Sequence, residues 1–243
     1  PALTALAQAE GWPTAYLAAV GLCLFTLCVM ALVYRPPPAA APLRQAPLAA
    51  LTRREVTLVT LAGMLWMTVN GTYIVALGFG QTLLVERGYT PVAAASLASL
   101  LPLAMMTAIP LGGWFTMRLG RPDAVIAGSL LVSVGFAGWL TVEANPVAFI
   151  GFGFAGAFGV SAISTLPAEA LREQVRSAGL GYYFVWFFFG TTGLPVLAGW
   201  VGDAVGTPAA PMAVATAGQL FCLLPLLAFR VMQRRWAVAD AAA

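Results

Sequence analysis

One stretch of the chain decides the fold. Residues 56–85 read VTLVTLAGMLWMTVNGTYIVALGFGQTLLV, which is 30 consecutive positions without a charged side chain. An α-helix needs about 20 predominantly apolar residues to cross the hydrocarbon core of a bilayer. A charge at the centre of that core costs several kcal/mol, so a charge-free run of this length predicts a transmembrane helix.

The same pattern recurs along the whole chain. Only 9% of the 243 residues are charged, whereas soluble domains carry about 25%. The runs lack the alternation of lipid-facing and lumen-facing positions that is typical of barrel strands. We therefore predict an all-α membrane protein with seven transmembrane helices. The charge-free windows are 11–34, 56–85, 88–117, 124–142, 144–168, 177–202 and 204–229.

Missing residue types exclude several functions. The sequence contains no histidine and no lysine, so it offers no imidazole for metalloprotease, haem or Ser-His chemistry and no amine for a retinal Schiff base. Cys23, Cys28 and Cys222 lie inside apolar windows, where a thiol behaves as a small hydrophobe. We predict no enzymatic activity, no cofactor, no metal site and no nucleic-acid partner.

The arginines predict the orientation. All twelve basic residues are arginines, and across seven spans eleven fall on one side while only Arg87 falls on the other. By the positive-inside rule, the C-terminus is expected in the cytoplasm and the N-terminus outside. Arginine used without lysine, together with much alanine, indicates a GC-rich bacterial genome. We therefore expect a multi-pass protein of the bacterial inner membrane.

A proline- and alanine-rich stretch divides the chain. Residues 35–54 contain four arginines and predict a cytoplasmic linker between one helix, in residues 1–34, and a six-helix block in residues 55–235, which is followed by a tail at 236–243. The chain begins with Pro1 and starts outside. We interpret it as a fragment, since one helix, a linker and six helices fit the second half of a twelve-span protein.

Two motifs resemble those of the major facilitator superfamily (MFS). Residues 112–121 read GGWFTMRLGR and resemble the family's loop Gly-x-x-x-Asp-Arg-x-Gly-Arg-Arg/Lys, although Met117 replaces the acid. Glu169 followed by Arg172 resembles the family's acid-then-arginine turn before a glycine- and proline-rich helix. The matching loop positions are Gly113, Arg118, Gly120 and Arg121, and the matching helix positions are Gly190, Gly193, Pro195 and Gly199.

The resemblance implies a fold and a function. The family has two six-helix halves, each built from three-plus-three inverted repeats, with substrate near the midplane between the halves. The expected function is secondary active transport of a small organic solute by alternating access, as a permease or an efflux protein. The expected partners are the lipid bilayer, a small-molecule substrate and the missing N-terminal half. The alternative is a non-transporting seven-helix subunit or receptor-like protein.

Substrate-binding candidates come from polar and aromatic positions in the second and sixth spans. Trp66, Asn70 and Tyr73 are spaced i, i+4 and i+7, which places them on one helical face. Tyr183 and Trp186 lie on the helix that the resemblance assigns to the cavity. The alternatives are an interhelical hydrogen bond for Asn70 and an interfacial aromatic belt for the tyrosines. Weaker candidates are Ser161, Ser164 and Thr165, because such hydroxyls usually bond to their own backbone.

Gating and packing candidates come from the two motifs. Gating is assigned to Gly113, Arg118, Gly120, Arg121, Glu169 and Arg172. We hypothesise that Arg118 or Arg121 pairs with Glu169 as a cytoplasmic latch; the alternative is that these arginines only set topology. Helix packing is assigned to Gly190, Gly193, Pro195 and Gly199, because glycines let helices approach closely and proline supplies a kink.

Overall fold

The chain folds into α-helices that are long and apolar enough to span a membrane. The computed structural model describes residues 2–35, 47–143 and 145–242, without the side chains of Thr4 and of 237–242, and these ranges contain no β-strand. Most of the predicted linker, residues 36–46, lies outside the described residues. The helices are α1 (Ala2–Glu10), α2 (Trp12–Val33), α3 (Arg53–Glu86), α4 (Pro91–Ala98), α5 (Leu100–Leu119), α6 (Pro122–Val142), α7 (Pro146–Phe158), α8 (Val160–Ile163), α9 (Leu166–Ala170), α10 (Arg176–Val205), α11 (Ala210–Phe221) and α12 (Leu223–Ala242).

Seven membrane spans result, and we number them in chain order. Spans 1, 2 and 4 are the helices α2, α3 and α6, and span 6 is α10 with its preceding turn. Each of the other three contains a break: span 3 joins α4 and α5, span 5 joins α7 to α9, and span 7 joins α11 and α12. The seven charge-free windows match these spans in number and order, which confirms the predicted class of helical membrane protein.

Local capping explains where the spans begin and end. Thr52 and Glu55 form a capping box, in which each side chain bonds to the other residue's backbone N–H, and this satisfies two donors at the start of α3. Asn145 caps α7 in the same general way, by accepting from Ala148 N at 2.9 Å. Gly120 ends α5 at φ +65°, a left-handed conformation that glycine adopts without steric cost.

Span 1 stands apart from the other six. None of its membrane-spanning residues is buried, and among the described residues its packing partner is the short helix α1. The remaining six spans pack on one another around a continuous core. The seven helices therefore do not form one bundle.

The six-span block consists of two similar three-span units. The first unit is spans 2–4, and the second is spans 5–7. The first span of each unit packs on the second and third spans of the other unit: span 2 on spans 6 and 7, and span 5 on spans 3 and 4. The third spans of the two units, spans 4 and 7, pack on each other. Equivalent spans are also buried to similar extents. Of the apolar 18-residue window in each span, 61% is buried in spans 2 and 5, 39% in spans 4 and 7, and less in spans 3 and 6. Because three spans is an odd number, the second unit has the opposite membrane orientation.

Glycines form the two equivalent helix crossings. A Cβ atom on Gly190 of α10 would collide with the backbone of α3, and one on Gly71 of α3 would collide with the backbone of α10. In the same way, Cβ atoms on Gly112 of α5 and Gly153 of α7 would collide with the backbone of the facing span. Close approach of small residues thus holds each pair together.

The other predicted packing positions behave differently. Gly193 has no neighbouring atom within 4 Å of an added Cβ, and Gly199 would make an ordinary contact with Phe79 at 3.4 Å. Pro195 lies inside α10. Of the three glycines proposed for helix packing on α10, Gly190 is the one that forms a close crossing.

Candidate functional site

An aromatic cluster joins α3 and α10. The ring of Trp66 stacks on Tyr183 with centroids 6.0 Å apart and planes inclined by 23°, and it lies 6.2 Å from Phe187. The indole of Trp186 fills the space over Gly63, where any Cβ would collide with it. The structure therefore stacks Trp66 on Tyr183 and places Trp186, one turn further along α10, over Gly63, one turn before Trp66 on α3. We call these three residues the aromatic cluster.

The polar atoms of this cluster lack partners. Trp66 Nε1, Tyr183 OH and Trp186 Nε1 are buried without a hydrogen-bond partner among the described residues. Leaving a buried donor unsatisfied costs about 1–3 kcal/mol. All three atoms are hydrogen-bond donors, and the indoles can only donate. A hydrogen-bond acceptor that reached these three atoms would remove this cost, although all three are buried beneath the surface.

Asn70 lies one helical turn beyond Trp66 on α3 and is partly exposed. Its side-chain nitrogen donates to the backbone carbonyl of Trp66 at 2.8 Å. The bond lies within one helix, so the structure does not show the interhelical bond that we considered for this amide. Gln81 makes the corresponding bond to Leu77 O at 3.2 Å. Both amides retain an acceptor oxygen and a second N–H for another group.

Tyr73 does not join the aromatic cluster, which corrects the grouping predicted from its spacing. It is 4% exposed, its ring lies 5.2 Å from Phe152 of α7, and its hydroxyl lies against Gly156. Helical spacing fixes the direction of a side chain but not the neighbour that it meets. Tyr73 lies about 10 Å along the axis from Trp66, and at that level α3 faces α7.

Sequence reasoning missed a buried polar group in the core. Gln219 of α11 donates to Thr72 Oγ1 at 3.0 Å, and Gln219, Thr72 and Ser133 of α6 are all fully buried. Tyr73 OH, Ser133 Oγ and Gln219 Oε1 lack hydrogen-bond partners among the described residues. One signal was present: Gln219 is the sole amide residue in its 26-residue window.

The weaker hydroxyl candidates bond locally. Ser164 donates to Ser161 O at 2.7 Å and Thr165 to Ala162 O at 2.8 Å, both within the same span. This is the backbone bonding considered as their alternative role. Ser161 Oγ is buried without a hydrogen-bond partner and lies 3.4 Å from the Cβ position of Gly113.

Arg230 forms the main ion-pair group at the arginine-rich end of the block, which contains the ends of α5, α9 and α12. Its guanidinium contacts Asp123 Oδ1 at 2.6 Å and Glu169 Oε2 at 2.6 Å, and it donates to Gln233 Oε1 at 2.7 Å. The side chain of Arg230 is only 16% exposed. One arginine of span 7 thus binds acids of spans 4 and 5.

This arrangement differs from the hypothesised latch. Glu169 pairs with Arg230, whereas the guanidinium of Arg118 lies 5.3 Å from the ring centroid of Trp114. Among the described residues, Arg118 and Arg121 have no carboxylate partner. The reason is position: Arg230 lies between the ends of α6 and α9, so it reaches both acids.

Arg172 forms a second ion pair. Its Nε and NH2 donate to the two oxygens of Glu55 at 2.8 and 3.0 Å, and its NH2 also donates to Ala50 O at 3.1 Å. Hydrogen bonding and charge attraction to Glu55 raise the pKa of the Arg172 guanidinium. Arg172 thus ties the loop between spans 5 and 6 to the start of span 2.

The opposite end of the block contains another contact made by a loop arginine. Arg87, in the loop between spans 2 and 3, donates to Val142 O at 2.8 Å, and Val142 is the last residue of span 4. Arg87 therefore connects two segments of its own three-span unit, whereas Arg172 connects one unit to the segment before the other.

Together these features define a multi-pass α-helical membrane protein with a partly polar interior. Among the described residues, no group of three His, Cys, Asp or Glu side chains could hold a metal ion. No family model matches the chain, and no solved structure matches it.

The chain is similar to two curated proteins named Magnetosome protein MamZ. It is 29% identical over 181 residues to MamZ of Magnetospirillum gryphiswaldense and 28% identical over 181 residues to MamZ of Paramagnetospirillum magneticum. Each match covers 71% of this chain but 26% of the relative. The matched segment therefore spans about a quarter of those proteins.

Proposed function

We propose that this chain forms one half of a secondary transporter of the major facilitator type. In this proposal, residues 55–235 are the C-terminal six-helix half and span 1 is the last helix of the other half. The half carries a small organic solute across the membrane by alternating access. The observation that carries the proposal is the division of the six spans into two inverted three-span units with exchanged packing partners.

The motif resemblance supports this architecture from a separate source. Inverted three-span repeats are the building units of this transporter class, whose substrates bind near the midplane. Residues 112–121 form the end of the block's second span and the turn before its third span, which is the position of the signature motif in that family. The exposed surface of span 1 is the surface that the missing half would cover.

The aromatic cluster and Asn70 are the proposed binding surface. Three unpartnered donors and a partly exposed amide favour a neutral or weakly charged solute with hydrogen-bond acceptors. No Asp, Glu or Arg lies in any charge-free window of the six spans. In this proposal, a carboxylate within the membrane that couples transport to protons would therefore come from the other half.

The receptor-like alternative has less support. A seven-helix receptor or subunit would pack its spans into one bundle, but span 1 contacts α1 and leaves the six-span core uncovered. The inner membrane as location and a cytoplasmic C-terminus also remain part of the proposal, and they rest on the distribution of the arginines.

A matched pair of tryptophan variants tests the proposed site. We would reconstitute the polypeptide that carries this chain into liposomes and measure uptake of a panel of labelled neutral organic solutes. The result expected is uptake above that of protein-free liposomes, lowered about tenfold in Trp186→Phe because the substitution removes the indole donor. Trp200→Phe is the control, since Trp200 lies on the same helix and is 68% exposed. Equal uptake by the two variants, or no uptake of any solute by folded protein, would overturn the proposal.

A further inference from the structure

A cavity of about 340 Å³ lies where α5, α6 and α7 meet. Its walls include Phe115 and Leu119 of α5, Val125 and Val132 of α6, and Phe158 of α7. The one polar side chain in the wall belongs to Ser129, and its hydroxyl donates a hydrogen bond to Ile126 O at 2.9 Å. The cavity is therefore suited to an apolar occupant.

The cavity opens on the surface of the block. Phe115, Leu119 and Val132 are 41%, 46% and 54% exposed although they line it. Along α6 the wall extends from Ala124 to Val132, which is about 12 Å of helix. In a membrane-spanning protein, the surroundings of such an opening are lipid acyl chains.

Two arginines lie next to wall residues in the sequence, although neither is part of the wall. Arg118 precedes Leu119, and Arg121 lies three residues before Ala124. Both side chains are exposed, the guanidinium of Arg118 lies over the ring of Trp114, and among the described residues neither arginine has a carboxylate partner. The acid nearest to them in sequence, Asp123, is bound by Arg230. The helix ends beside the cavity therefore carry two positive charges.

We propose that this cavity binds one acyl chain of an anionic phospholipid, with its phosphate group at Arg118 and Arg121. The apolar wall provides the surface for the chain, and the two guanidinium groups provide the opposite charge for the headgroup. Arginine is well suited to phosphate because its planar fork can donate two parallel hydrogen bonds. This site is separate from the aromatic cluster, and the inference does not depend on transport.

Native mass spectrometry tests the headgroup part of the site. The full chain in neutral detergent would be titrated with equal amounts of dioleoyl-phosphatidylglycerol and dioleoyl-phosphatidylcholine, and the retained lipids counted. We expect preferential retention of phosphatidylglycerol, reduced roughly tenfold or more in Arg118→Gln/Arg121→Gln, because each arginine near the headgroup contributes to binding. Arg234→Gln/Arg235→Gln is the charge-matched control at the same end of the block, and it should retain the lipid. Equal retention by the two double variants would overturn the proposal.

A second pair of variants tests the acyl-chain part. Gly128 lines the cavity, and a Cβ added there meets no atom within 4 Å, so Gly128→Phe places a ring at the cavity from a position with open space at its Cβ. Gly135→Phe is the control, because Gly135 on the same helix also has open space around its Cβ position but does not line the cavity. We expect Gly128→Phe to lose phosphatidylglycerol and Gly135→Phe to keep it, with unchanged helical circular dichroism in both. Retention of the lipid by Gly128→Phe would overturn the proposed cavity site.

Discussion

Arg230 connects three spans at the arginine-rich end of the block. It binds acids of spans 4 and 5 from span 7, and its side chain is largely buried. Removing a buried arginine leaves two carboxylates without their partner, which costs more than the loss of an exposed charge.

We predict that Arg230→Gln lowers the free energy of unfolding by about 2 kcal/mol, because hydrogen bonds to charged groups are lost. Thermal unfolding in detergent measures this loss of stability. Arg118→Gln is the control, and its loss should be less than about 1 kcal/mol, since an exposed cation–π contact contributes little. Equal destabilisation by the two substitutions would contradict the assignment of Arg230.

The hydroxyl of Tyr183 provides a second prediction at the residue scale. Because it is buried without a partner, Tyr183→Phe should leave stability unchanged or raise it slightly while lowering solute uptake. The neighbouring Tyr182 bonds to Thr60 Oγ1 at 2.9 Å, so Tyr182→Phe should cost about 1 kcal/mol. Thermal unfolding of both variants checks this, and a loss of stability in Tyr183→Phe equal to that in Tyr182→Phe would refute it.

Residue types selected the residues of the aromatic cluster, whose role in binding stays a prediction. Trp66, Tyr183 and Trp186 could be selected because large polar aromatics are conspicuous in apolar windows. The position of Tyr73 could not, since the spacing contains no information on which helix lies opposite. The predicted partner of Glu169, Arg118 or Arg121, differs from the observed one for a related reason. Arg230 is distant in sequence, and its approach to Glu169 depends on how span 7 packs.

At the scale of elements, glycine crossings hold the spans together. Gly190 and Gly193 lie one turn apart on α10, but only Gly190 touches the backbone of α3. The same residue type thus has a different role on two faces of one helix.

We predict that Gly190→Ala lowers the free energy of unfolding by about 1–3 kcal/mol, because an added methyl group forces the crossing apart. Gly193→Ala should be neutral or slightly stabilising, since alanine is the better helix former and space is open. Unfolding in a denaturing detergent series distinguishes the two variants. A Gly190→Ala variant as stable as Gly193→Ala would show that the crossing is not close.

The placement of charged residues predicted the membrane spans well, but it gave no information on the breaks within them. Charged residues mark the ends of membrane helices because the bilayer excludes them, so the seven windows match the seven spans. The breaks at Ser99, Gly159 and Cys222 have no corresponding signal in the charge pattern. Pro102 and Pro225 lie three residues after the breaks at Ser99 and Cys222, and each lacks the N–H that would bond to the carbonyl four residues earlier, so the sequence signal for these two breaks is a proline.

At the scale of the whole molecule, the exchange of partners between two three-span units is the main result. The helix pairs and the glycine crossings both follow it. This symmetry could not be read from the residues directly, because the equivalent positions differ in sequence. Only the motif resemblance implied it.

Accessibility of Asn70 from both sides of the membrane tests the central claim most directly. In a background with Cys23, Cys28 and Cys222 replaced by alanine, Asn70→Cys would be exposed to a membrane-impermeant maleimide in right-side-out and inside-out vesicles. We predict labelling from either side while the vesicles stay impermeable to the reagent, and no labelling of the control Leu131→Cys, because Leu131 lies on the exposed apolar surface of α6. Labelling of Asn70→Cys from one side only, or from neither, would contradict alternating access through this half.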